Sequence, residues 1–246
     1  MAEGWSNGTG KTVKFTDPLE ILDTRLWLRR SDTFTDNLAL FRPSNVKFVS
    51  GIGAVLSIKG ESLGVRDYTA ASICSQDEYL FGKFEATIQA SSVPGVVTGF
   101  FLHRNSPRQE IDIEITGNRP DRLLINVFYN PGGEGAKFDY GYRGAPSYIN
   151  LGFDASKARH RYAIEWNPNE IQWFVDGNLV HRRVVWDPTP IPNLPMTLHA
   201  NNWITRSTHL AGRINNRNLP SSSIFGEIAI ETNVVVTEPE AIISKK

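Results

Sequence analysis

Phe84-Glu85-Ala86-Thr87-Ile88-Gln89-Ala90 alternates without a break: Phe84, Ala86, Ile88 and Ala90 fall on one side of an extended chain, Glu85, Thr87 and Gln89 on the other. A period of two belongs to a strand, because successive side chains leave opposite faces. Tyr162, Ile164 and Trp166 keep the same rhythm. So do Ile171, Trp173 and Val175, which run into Asp176-Gly177, a dipeptide that closes two-residue hairpins, with Leu179 to Val184 as the returning strand. Turn residues recur densely between these stretches, with 20 Gly and 14 Pro, and short β-branched and aromatic runs between such turns predict an all-β sandwich or barrel. No amphipathic helix exceeds one or two turns. Asp154 to Ala158, with Asp154 as N-cap, is the best short candidate. No interior linker, charge block or repeat divides residues 1–246, which read as a single domain with about 1–12 and 239–246 as its ends.

Composition narrows the function classes. A 246-residue chain that is 40% hydrophobic has material for a sizeable core. Its formal net charge of +0 argues against a polyanion-binding surface, and so against nucleic acid as a partner. No apolar run approaches the roughly 18 residues that cross a bilayer. Cys74 stands alone, which leaves no intrachain disulfide and no multi-cysteine zinc or iron–sulfur site. The opening MAEGWSNGTG has no basic start followed by an apolar stretch, so the chain reads as cytoplasmic or as an exported protein without its leader. Gly8-Thr9-Gly10-Lys11-Thr12 ends like a phosphate-binding loop. Trp5, however, stands where the first Gly of that pattern belongs, and no strand precedes it, so the segment reads as a polar terminus. Asn7-Gly8-Thr9 is a formal glycosylation triplet of a kind common by chance.

The chemistry sits in Glu110-Ile111-Asp112-Ile113-Glu114-Ile115. Alternation sends the three acids to one face and the three Ile side chains to the other. An ordinary half-buried strand has the same outline, but three carboxylates about 6.6 Å apart with no cation between them repel one another and contribute nothing to folding. A face kept for function explains them better. No His interleaves, so a transition-metal site is poorly supplied, and calcium favours ligands on a flexible loop. Glycoside hydrolysis needs two carboxyls flanking one bond, about 5–5.5 Å apart when configuration is retained. Glu110 and Glu114 lie about 13 Å apart at Cα on a straight strand, so their carboxyls converge only on a concave sheet. That predicts a groove, suited to cleavage within a polymer.

Five ordered segments carry a resemblance: FGKFEATIQAS, PGVVTGFFL, EIDIE, LGFDASKARHRYAIEW and WFVDGNLVHR. Together they resemble glycoside hydrolase family 16 over roughly residues 65–215, above all its bacterial lichenases, which cut mixed-linkage β-1,3-1,4-glucan. The resemblance implies a β-jelly-roll sandwich of two antiparallel sheets with a concave cleft, and a retaining double displacement that needs no cofactor. On it, Glu110 resembles the nucleophile, Asp112 the assisting carboxyl and Glu114 the acid/base. Asn201 and Trp203 resemble an Asn-x-Trp element lining the cleft, Trp203 offering its aromatic face to a sugar. Glu85 resembles a cleft Glu. Asn126 and Phe128 resemble an Asn-x-Tyr pair, without the hydroxyl.

Two departures bear on specificity: Arg108 replaces a Trp two residues before the nucleophile, and Thr87 an Arg. Both are expected to border subsites. EIDIE is also unbroken, whereas laminarinases of the family carry an extra residue before the last Glu, forming a bulge. The resemblance implies a polysaccharide partner, a monomer, a secreted location, and a structural calcium on the convex side, for which Glu227 is the candidate acid. Trp166, Trp173, Tyr162 and Phe174 are expected in the core; Trp186, near a proline-rich loop, reads either as structural or as lining an end of the cleft. His199 is the one histidine near the Asn201/Trp203 element. Beside the endo-β-glucanase reading stand a transglycosylase on xyloglucan or a related β-glucan, a hydrolase of a galactan-type polymer, and a non-catalytic glycan-binding sandwich.

Overall fold

The computed structural model describes residues 12–133, 135 and 144–234. The loop-like Gly8–Lys11 segment, the Asn7 triplet and the tail after 234 lie outside them. The strands are β1 (Thr12–Asp17), β2 (Trp27–Arg29), β3 (Ala39–Phe41), β4 (Val46–Val49), β5 (Gly53–Ile58), β6 (Tyr68–Gln89), β7 (Val96–Asn105) and β8 (Arg108–Thr116). They continue with β9 (Arg122–Tyr129), β10 (Ser147–Asn150), β11 (His160–Trp166), β12 (Glu170–Val175), β13 (Asn178–Val184), β14 (Met196–Ile204) and β15 (Ser221–Val234).

The three alternating stretches fall in β6, β11 and β12. Asp176 and Gly177 close the β12–β13 hairpin with φ of 48° and 80°, the left-handed pair that a two-residue type I′ turn requires. Asp154 begins a turn rather than a helix, its carboxylate accepting from the amide and hydroxyl of Ser156. The α-helix among the described residues is Thr208–Ala211, capped by Ser207, whose hydroxyl accepts from the Leu210 amide. One turn is too short for any periodicity to announce it.

Hydrogen bonding orders most strands as β10-β9-β8-β7-β14-β6-β11-β12-β13. Laid flat, β8 and β12 would stand five spacings apart, roughly 24 Å. Instead the Trp173 indole in β12 donates to the Asp112 carbonyl in β8 at 3.1 Å, so the sheet has folded back on itself. The fold line runs along β6. The first part of this 22-residue strand pairs with β2 and β14, the second with β11 and β15. Two facing layers result, antiparallel except that β3 joins β6 in parallel. Ile111, Ile113 and Ile115 point between the layers, against a core that includes Phe84, Trp166 and Trp173. Phe174, of opposite parity, is only half-buried. With its Ile side chains turned inward, β8 presents its acids on the outer face of its own layer.

Candidate active site

Register lays the acids out in rows, since directly paired residues share a face. Glu110 stands between His103 of β7 and Phe128 of β9, Asp112 between Phe101 and Asn126, and Glu114 between Gly99 and Leu124. On β14, Thr197, His199 and Asn201 continue these rows, and Trp203 follows on the same face. Two grooves border this surface. Over β7 and β14 lies a groove of about 470 Å³ lined by Arg30, Glu78, His103, Thr197 and His199. Beyond β9 lies one of about 300 Å³.

Glu110 and Asp112 are buried and Glu114 half-buried. Burial, then the charges of Glu110 and Glu114, hold Asp112 well above the usual carboxylate range, and it shares a hydrogen bond with Glu110. A protonated Asp112 donates that bond. Burial first, and the Glu110 charge second, push Glu114 up to about 7, while a hydrogen bond from the Trp203 side chain pulls the other way. Glu114 thus keeps its proton to higher pH than an ordinary carboxyl, as a general acid must.

Arg108 explains how so much negative charge is tolerated beside Glu110. Its Nε and Nη2 both donate to Glu110 Oε2, at 2.9 and 2.5 Å, and the guanidinium lies 4.8 Å from the centre of the Phe128 ring. The residue expected to border a subsite is the nucleophile candidate's ion-pair partner. Phe128 supports it from below by a cation–π contact.

The other expected residues divide. Asn201 is buried in the row of Glu114, with Gly99 between them, and its Oδ1 has no hydrogen-bond partner among the described residues. Gly99 makes room for it: a Cβ there would lie 2.6 Å from that oxygen. Asn126 belongs to the site but spends its Oδ1 on the amides of Val127 and Ala145, bracing the returning segment. Trp203 offers no open face. It is 7% exposed and packs 5.0 Å from the Phe34 ring, so its polar edge reaches the site through Glu114.

Glu85 is a correction. It lies in the second part of β6, paired with Ala163 and Ala229 in the opposite layer. Phe84 and Ala86 point inward there, so Glu85 faces outward, 3.9 Å from Arg161. Thr87 shares that outward face, away from any subsite. Trp186 is 76% exposed just after β13, the edge strand of the opposite layer. Glu227 is exposed at a shift of register in β15. Among the described residues no three His, Cys, Asp or Glu side chains gather to hold a metal ion. A cation at Glu227 would have to rely on backbone carbonyls, and no step below uses one.

Phe101 and His103 are site residues that the sequence reading passed over. Phe101 stacks on His199, with centroids 4.9 Å apart and planes 10° from parallel. His199 Nε2 lies 2.8 Å from the Thr197 hydroxyl. Burial lowers the basicity of both histidines, and most strongly that of His199. The signal was available: Gly99, Phe101 and His103 alternate on one side of β7, as the acids do on β8.

The Trp203 contact gives a test. Trp203→Phe removes the N–H that favours the ionised form of Glu114, so the carboxyl should stay protonated to higher pH. The alkaline limb of kcat/KM is expected to move upward in a pH–rate profile. An unmoved limb would show that the indole does not govern this acid.

The sequence pattern described as Glycosyl hydrolases family 16 matches residues 38–216. A β-glucanase of Bacillus licheniformis is 30% identical over 195 residues, 77% of this chain and 74% of that protein. A β-glucanase of Brevibacillus brevis is 32% identical over 154 residues, 60% of this chain, and the aligned stretch spans only 54% of that relative. Among solved structures, a prokaryotic β-1,3-1,4-glucanase (lichenase) derived from a mouse hindgut metagenome superposes with a TM-score of 0.77, covering 90% of this chain and 99% of that one. At 24% identity that last likeness is one of fold.

Proposed function

The chain belongs to glycosyl hydrolase family 16, and from that premise we propose that it is a retaining endo-β-glucanase acting on mixed-linkage β-1,3-1,4-glucan. The observation that carries the reading is the pair of unlike carboxyls on one strand. Glu114 is pushed up to about 7, and Glu110 is salt-bridged to Arg108. In the first step Glu110 attacks the anomeric carbon while the departing glycosidic oxygen takes the proton of Glu114. The C–O bond breaks, and a glycosyl ester of Glu110 remains.

Esterification removes the Glu110 charge that had raised Glu114, so Glu114 now accepts a proton from water as that water attacks the same carbon. Arg108 pulls in the same direction, because the ester costs it the ion pair with Glu110 that the returning carboxylate restores. Asp112, holding a proton, keeps Glu110 oriented through both displacements. The three acids titrate as one system, so the bell-shaped profile belongs to the group.

Two features favour a lichenase-like substrate. Relatives of about 30% identity are β-glucanases, and β8 keeps one register with β7 and β9 from Gln109 to Glu114, without the bulge of the laminarinase pattern. The test is digestion of mixed-linkage glucan, laminarin, xyloglucan and a galactan, with linkage and anomeric configuration of the first products read by NMR. Release of β-configured oligosaccharides from mixed-linkage glucan is expected. α-Configured first products, or turnover confined to another polymer, would overturn the assignment. Products longer than the starting oligosaccharide would mean that a sugar hydroxyl displaces water in the second step.

A further inference from the structure

We infer that Tyr148 is the sugar platform for the departing segment of the glycan, at a binding site on the outer edge of the cleft for the second β-linked glucosyl unit beyond the cleaved bond. The inference rests on the reading above, which it extends to the leaving side of the substrate.

Register fixes the place. Glu114 pairs with Leu124 of β9, and Leu124 with Tyr148 of β10, so all three share the face that carries the acids. Two strand spacings, about 10 Å, separate Glu114 from Tyr148, which is the span of a disaccharide. Ile149, the next residue, packs against the core, which turns Tyr148 outward on the terminal strand of the layer. It is 59% exposed. A single exposed aromatic is ordinary on a protein surface. This one lines the groove of about 300 Å³ together with Thr116, Arg122, Leu124 and His209. An aromatic face flanked by hydrogen-bonding side chains matches a pyranose, whose ring faces are apolar C–H surfaces and whose rim is hydroxyl.

The asymmetry of the layer decides which end of the glycan lies here. After the first displacement the glycone stays covalently attached while the other segment must leave. Toward β7, β14, β6 and β2 the layer extends four strands from β8 and holds the larger groove, with Asn201 and the buried His199. Among the described residues it extends two strands toward β10. The broad side suits the segment that is retained, and the narrow side suits the one that diffuses away. Contact energy gained there, remote from the reacting carbon, lowers the barrier for long substrates in particular.

The test compares Tyr148→Ala with wild type on two substrates: the polymer, and an aryl β-glycoside that carries the same oligosaccharide glycone on a small aromatic leaving group. Only the polymer reaches Tyr148. A fall in kcat/KM of about 5- to 10-fold is expected on the polymer, the scale of one aromatic contact, with the aryl glycoside unchanged and Tyr148→Phe close to wild type on both. Equal losses on the two substrates, or no loss on the polymer, would overturn the inference. A wild-type protein inert on both substrates would instead overturn the endo-glucanase reading, and this inference with it. Tyr148 is exposed, so its removal leaves the fold intact, which circular dichroism of the variant checks.

Discussion

Glu110→Ala abolishes turnover, to below roughly one part in 10⁴ of wild type, and azide restores it with inverted stereochemistry. The smaller side chain leaves space on the face of the sugar that the carboxylate had attacked. An azide ion entering that space attacks from the same side, so the expected product is an α-glycosyl azide, identified by its anomeric coupling constant. A β-glycosyl azide would mean that Glu110 is the acid/base and that the two assignments are reversed. Arg108 is expected to assist, because its two donors to Glu110 Oε2 are left facing an anion-sized gap. The same substitution removes a charge that raises Glu114. The Glu114 carboxyl should therefore titrate at lower pH in the variant, which side-chain carboxyl NMR can follow.

Glu114→Gln should cost about 10²- to 10⁴-fold in kcat/KM on the polymer, the range of general acid catalysis, with a loss that depends on the leaving group. A dinitrophenyl glycoside departs as a stable anion and needs no proton, so formation of the glycosyl ester should be nearly as fast as in wild type. Breakdown of the ester, which needs a base, should be slow, and a burst of dinitrophenol followed by a low steady rate is expected. The pH profile adds a second reading. Activity in the wild type falls as pH rises through about 7, because Glu114 gives up the proton it must donate. In the variant that alkaline limb should vanish. Persistence of the limb would place the essential acid on another residue.

How much of this was legible beforehand depends on how far apart the interacting residues lie in the chain. Alternation located β6, β11 and β12 because strand parity is a local property, and the like charges at Glu110, Asp112 and Glu114 were conspicuous because no folding argument accounts for them. Parity says which side of a strand a residue occupies and nothing about which layer the strand has reached. Glu85 was misplaced for that reason: β6 carries cleft residues in its first part and outward-facing ones in its second, and no break in the pattern marks the crossing. The salt bridge of Arg108 to Glu110 joins residues two apart, on the same side of one strand, yet it was read as a subsite contact because the family places a Trp there. The hydrogen bond from Trp203 to Glu114 was out of reach for a different reason: β14 reaches β8 only across β7, and registers between strands far apart in the chain cannot be read from either strand alone.

The position of β14 has a consequence for how the enzyme comes into being. The acid-bearing β8 is flanked by β7 and β9, its immediate neighbours in the chain, so this meander can assemble early during synthesis. β14 emerges much later and must insert between β7 and β6, in the interior of the layer. A nascent chain still lacking it would carry its three acids on an unsupported hairpin pair, exposed to water. Catalytic competence therefore waits for β14 to slot between β7 and β6, and a ribosome-bound series of increasing length should stay inert until that strand has emerged.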